Sequence, residues 1–344
     1  MFSILIFTGH FKIFLTMLNI KLIVIIFLTT FSIAFGQNKK IAYCSNQGTS
    51  EFLQVFIMNE DGSDKKQLTD IEENCMRPKF SPDGKQITFY TDQGFVYLIR
   101  DVDNPNLDYT FLVWNGMYPT FMPDGSEIMF NSEYEDVLSV FVIDTNQYGA
   151  QPQLITDGSY SNMQVLSPDA NKVAFSSFYE GSKSIMIADL NDESNDYISK
   201  ISLNNDANLE PDFSPDGKQL VYASFDNNLS GTVRIFKDGV ETPLTKGLPS
   251  SNVPRFSPDG NEIAFVVINN NNVDLYLMNA DGSNARNLNV SGGNVGTFQW
   301  MDNDRILYDA GTDSRLSVGI INVSSGSSEI IAEGGFNLHP SYTK

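Results

Sequence analysis

Two histidines, His10 and His339, are all the chain has, and that scarcity bounds its chemistry. His10 lies in an apolar leader, so a Ser–His or Cys–His nucleophile would have to be assembled around His339. No Gly-x-Ser-x-Gly elbow occurs, which excludes an appended hydrolase domain of that class. Glu210 and His339 are the candidate pair for acid–base work on a polysaccharide or peptide. Both belong to a series with one member per sequence repeat, four residues before a recurring Ser: Arg77, Tyr118, Met163, Glu210, Val253, Thr297 and His339. A mixed ring of Arg, Tyr, Glu and His can read a ligand, although exposed strand entrances also vary freely. A second series is more regular: Asn74, Asn115, Asn162, Asn208, Asn252, Asn294 and Asn337, each in the loop that enters a repeat. Asn is common in loops because it tolerates left-handed backbone and bonds it locally. The functional alternative is an amide-lined funnel suited to a peptide backbone or a sugar. Trp114 stands outside the core aromatic series, beside Asn115, and is the best single candidate for an exposed recognition residue.

The element that positions these residues is Phe80-Ser81-Pro82-Asp83-Gly84, which returns along the chain. Its turn residues Asp83, Asp124, Asp169, Asp216, Asp259 and Asn303 are spaced by 41, 45, 47, 43 and 44 residues. Pro presets φ, Asp bonds its own backbone and Gly takes the left-handed position, so each copy predicts a hairpin. Alternating runs follow each turn, as in Ile87-Thr88-Phe89, then a third strand and a short fourth segment such as 66–69 or 152–156. Four strands per unit of this length predict a β-propeller blade. The aspartate of each turn is read as serving the turn. The stretches 59–64 and 279–282 lack the ligand spacing of a calcium loop and are read as hairpin tips.

Counting blades needs both chain ends. Residues 339–344 match the first strand of the unit, and Lys40-Ile41-Ala42-Tyr43-Cys44-Ser45 match the second, so together they make one more blade. The predicted fold is all-β, a seven-bladed β-propeller closed by pairing of the N- and C-terminal strands, which removes open sheet edges. Six blades are the alternative if the degraded copy near Trp300 forms none.

The F-S-P-D-G-x-x-I-x-F unit, followed by a V-x-x-M-x-x-D-G hairpin, resembles the repeat of the TolB-like propeller family over residues 40–344. The resemblance implies a cell-envelope role through protein contacts. The family's namesake carries an α/β domain ahead of its propeller, for which the expected blades leave no room, so a Tol-specific role is not implied. Oligogalacturonate lyases share the repeat but hold a metal through clustered histidines, which His339 alone cannot supply.

Residues 1–36 read as a leader with a signal peptide, its true start at Met17, its small-x-small site ending at Gly36; residues 37–344 read as the propeller. A retained anchor is the alternative. The net charge is −20, and the leader holds Lys12 and Lys21, so the rest is more acidic still. That charge excludes a nucleic-acid partner, which needs a basic footprint. Cys44 and Cys75 fall in neighbouring predicted elements, leaving open either a disulfide or two thiols. The sequence thus predicts an exported, monomeric, non-catalytic scaffold in the periplasm or outside the cell. It would bind a cell-envelope protein or peptide without cofactor or metal. A polysaccharide- or peptide-processing enzyme, or a glycan or small-ligand sensor, would instead use the central channel.

Overall fold

A computed structural model describes residues 39–48, 51–104, 109–147, 149–156, 162–192, 197–312 and 314–343. The predicted leader lies outside them. The described residues form seven four-stranded antiparallel sheets and no helix. Their innermost strands are Asn337–Tyr342 in blade 1, Cys75–Phe80 in blade 2, Met117–Phe121 in blade 3 and Asn162–Leu166 in blade 4. Blades 5 to 7 follow with Ala207–Phe213, Ser250–Phe256 and Asn294–Trp300. The degraded copy at Trp300 therefore forms a complete blade, and the six-bladed alternative falls away.

Blade 1 closes the circle. Its inner strand is the last of the chain and pairs with Lys40–Ser45, Ile41 lying opposite Tyr342 and Ser45 opposite Asn337. The seam is reinforced below the sheet. The Tyr342 hydroxyl donates to Glu60 at 2.5 Å, Glu60 is ion-paired to Arg305, and Arg305 also meets Asp302 at 2.7 Å.

Each turn folds through its own side chains. The Ser81 hydroxyl donates to the Asp83 carboxylate at 2.6 Å and accepts the Gln86 N–H, while Gly84, at φ 71°, donates to the Ser81 carbonyl. Ser167–Asp169, Ser214–Asp216 and Ser257–Asp259 repeat the hydroxyl–carboxylate bond at 2.6 Å. The strand after the turn carries one aromatic per blade: Tyr43, Phe89, Phe130, Phe175, Tyr222, Phe265 and Tyr308, none more than 1% exposed. Burying a side chain of this size is worth about 1.5–3 kcal/mol, so these seven anchor the core. The place just before each turn holds Phe121, Phe213, Phe256, Trp300 and Tyr342, also buried, with Phe80 and Leu166 partly so.

Cys44 and Cys75 are free thiols in one apolar cluster with Val55, Leu68 and Phe89, so the bridge that the sequence leaves open is not formed. Burial pushes the Cys75 thiol up to about 12 and Cys44 higher than its usual range, which keeps both as unreactive hydrophobes. No helix of the described residues is long and apolar enough to cross a membrane.

Candidate functional site

Blade topology sorts the loops onto two faces. In every sheet the hairpin between the second and third strands lies at the same end as the loop that enters the next blade. The Ser-Pro-Asp-Gly turns lie at the other end. The loop face is where the first strands begin and where the channel opens.

At that opening each inner strand is interrupted. The ladder shifts register between Met76 and Lys79, Met117 and Thr120, Asn162 and Val165, Leu209 and Asp212, Asn252 and Arg255, and Val295 and Phe298. Blade 1 shifts likewise, opposite Ala42 and Cys44. The residue at the bulge is the ring residue expected from the repeat. Arg77, Tyr118, Met163, Glu210, Val253 and His339 all adopt left-handed backbone, at φ between 47° and 55°. A bulge re-aims a side chain, and left-handed backbone in a β-branched or bulky residue stores strain. The next residue is Pro in five blades (Pro78, Pro119, Pro211, Pro254 and Pro340), where a missing N–H costs no ladder bond. Pro at one fixed place in the first strand of five units, an edge strand of its sheet, was the available sequence signal for these bulges.

Contacts between neighbouring blades hold the ring. His339 N–H donates to Asp309 at 2.8 Å, and Thr297 donates to the same carboxylate through its N–H at 3.0 Å and its hydroxyl. Glu210 pairs with Arg255 at 2.6 Å, Asp212 accepts the Phe256 N–H at 2.8 Å, and Gln164 donates to the Tyr118 carbonyl. Burial pushes the Asp309 carboxyl up, against the bonds from Thr297 and His339. Burial, then the nearby Arg77 and Lys79, push the His339 imidazole down to about 3, leaving it neutral at physiological pH. Sequence reasoning missed Asp309. It occupies the place after the blade aromatic where other blades carry Tyr90, Asn131, Ser176, Ala223, Val266 and Cys44, and an acid there was a readable anomaly.

Glu210 and His339 do not share a blade. They stand on blades 5 and 1, and the Glu210 carboxylate is engaged by Arg255.

Several of the repeated asparagines bond the backbone of the preceding blade. Asn74 accepts the Leu53 N–H at 2.9 Å, and Asn208 donates to the Lys183 carbonyl. Asn294 accepts from Val273 and donates to the Asn271 carbonyl, while Asn337 accepts the Ser45 hydroxyl and donates to the Leu316 carbonyl. Asn208 and Asn337 are fully buried. Asn115 is exposed with φ 54°, Asn252 is half-buried, and the Asn162 side chain lies outside the described residues.

Trp114 follows the outer strand of blade 2, on the loop face, and is 65% exposed. Its ring stands 4.9 Å from Phe95 and 4.9 Å from Phe111 in edge-on contacts. Tyr118 lies 5.5 Å from Tyr90 and carries the Arg77 guanidinium 5.2 Å above its ring. Among the described residues no group of acids, histidines and cysteines is arranged to hold a metal ion.

This architecture has known relatives. Structures similar to the chain include TolB from Acinetobacter baumannii, 19% identical, with a TM-score of 0.56 over 90% of this chain and 67% of that one. Another is a Mycobacterium tuberculosis puromycin-hydrolyzing peptidase, 12% identical, with a TM-score of 0.68 over 87% of this chain and 52% of that one. A putative 6-phosphogluconolactonase from Bacteroides uniformis is 14% identical, with a TM-score of 0.60 over 89% of this chain and 99% of that one. At these identities the likeness is one of fold, and the chain spans about half the length of the peptidase. No curated protein matches the sequence. The model of the TolB beta propeller domain matches residues 28–252 and 147–344. With the repeat, the seven blades and that match in agreement, the chain belongs to the TolB beta propeller domain family.

Proposed function

We propose that the protein is an exported, non-catalytic propeller scaffold, in the periplasm or outside the cell, that binds a cell-envelope protein or peptide on its loop face. One observation carries the reading: the exposed large apolar side chains gather at that face. Trp114, Tyr118, Phe178, Tyr179, Leu203 and Leu229 stand in or beside its loops and hairpins, with Leu229 78% and Leu203 64% exposed. Large exposed apolar side chains grouped on one side mark an interaction surface, and aromatic anchors dominate such interfaces. The opposite face carries the charged Asp turns. Bonds from Ser81, Ser167, Ser214 and Ser257 hold Asp83, Asp169, Asp216 and Asp259 below the usual carboxylate range, so that side stays ionised and hydrated. Catalysis from the channel by Glu210 is disfavoured by its commitment to Arg255.

The test is crosslinking of the protein in its own cell envelope, comparing the natural chain with a Trp114→Ala, Tyr118→Ala double variant of matched stability. One defined protein, captured by the natural chain and lost by the variant, is the expected result. Equal capture by both would contradict the placement of the surface.

A further inference from the structure

We propose that the channel mouth between blades 1 and 2 is a binding site for a monocarboxylate, built from the Arg77 guanidinium and the His339 imidazole. This does not rest on the scaffold reading: the two share Tyr118, but the site is read at His339 with Tyr118 unsubstituted.

The chain carries 42 acidic residues against 22 basic, and most of its arginines are spoken for: Arg100 and Arg286 donate to the Thr145 and Val323 carbonyls. Arg234, Arg255, Arg305 and Arg315 are all ion-paired. Arg77 makes no ion pair among the described residues, although its charge is felt by the buried Asp309. Its guanidinium is held on the Tyr118 ring and beside the Tyr90 hydroxyl. Stacking fixes the plane of the group and leaves its N–H edge available, the presentation that carboxylates bind by paired hydrogen bonds.

His339 supplies the second contact. Its Nδ1 is buried and has no hydrogen-bond partner in the protein. A buried polar atom left unpaired costs about 1–3 kcal/mol, which a ligand oxygen would recover. The two residues hold equivalent bulge positions on the inner strands of neighbouring blades, where Cys44, opposite Leu338, packs in one cluster with Cys75. Lys79 adds positive charge nearby. The bulges aim both side chains, since each residue holds left-handed backbone.

The charge of the ligand is limited from behind. Asp309 lies against the His339 backbone, its oxygens occupied by Thr297 and His339. A singly charged carboxylate meets one guanidinium at small cost, whereas a doubly charged phosphate would meet more repulsion from Asp309. A free organic acid and the C-terminus of a peptide share this chemistry.

The full chain with His10→Gln holds a single imidazole, so the His339 ring signals report the site directly by NMR at pH 7. Acetate is expected to shift them saturably and acetamide, its neutral counterpart, to leave them unmoved. Arg77→Gln is expected to weaken acetate binding by about tenfold or more, and Arg77→Lys to restore part of it. Tighter binding of trialanine than of acetate would make a peptide terminus the source, and equal binding a free acid; both support the site. Equal shifts from acetate and acetamide, no saturable shift, or tighter binding of inorganic phosphate would overturn it. The acetate and acetamide comparison on the unsubstituted site decides the matter even if an Arg77 variant fails to fold.

Discussion

Single residues at the channel rim carry both the strain and the specificity of this molecule. Val253 is the sharpest case: a β-branched side chain at φ 51°, where L-residues other than Gly, Asn and Asp lose roughly 1–2 kcal/mol. Val253→Asn, which tolerates that backbone, is expected to raise unfolding stability by about 1 kcal/mol in urea titration. Blade 7 solves the same problem by another route. A Cβ on Gly296 would sit 2.1 Å from the Asp309 carboxylate, so glycine is required there for close approach and not for an unusual φ. Gly296→Ala is therefore expected to cost about 1–3 kcal/mol and to broaden the His339 ring signals, because it displaces the carboxylate that holds the His339 backbone. Little of this was legible in the sequence. Met163 and Val253 are residue types that argue against left-handed backbone; Pro254 betrays the bulge at Val253, whereas Met163, followed by Gln164, carries no such sign.

The hairpin turn and the asparagine clasp are the repeating elements, and they were legible to different degrees. Pro-Asp-Gly names its turn outright, because each residue solves a backbone problem that few others solve. The asparagines were legible as a pattern but not as a set of bonds, since sequence spacing cannot say that Asn337 reaches Leu316 in the preceding blade. Asn337→Ala would remove the acceptor of the Ser45 hydroxyl and the side-chain donor to the Leu316 carbonyl, and is expected to cost about 1–3 kcal/mol by chemical denaturation. The turn aspartates predict a pH dependence. Their folded values lie below the ordinary carboxylate range, so their contribution is complete above the unfolded value of about 3.9 and is lost as pH falls through the lower folded values. Unfolding free energy measured from pH 5 down to pH 2 is expected to fall less steeply in Asp83→Asn than in the natural chain. An unchanged slope would show that the Ser81–Asp83 bond does not favour the ionised form.

At the scale of the whole molecule, seven blades and the closing seam follow from the spacing of one short motif and from the fit of the two chain ends. The surface that such a ring presents does not follow from the repeat, because it is built from the residues that break it. Trp114, Phe178, Leu203 and Leu229 obey no series, and only the topology that puts them on one face makes them a group. Val240, 61% exposed in the hairpin between the third and fourth strands of blade 5, and Leu154, 38% exposed on an outer strand, lie away from that face and serve as controls. The decisive measurement is the affinity of the captured envelope partner for three proteins: the natural chain, Trp114→Ala with Tyr118→Ala, and Val240→Ala with Leu154→Ala. A loss of about tenfold or more confined to the Trp114 and Tyr118 pair is the predicted result. Equal affinity in all three, or a loss that follows Val240 and Leu154, would contradict recognition at the loop face.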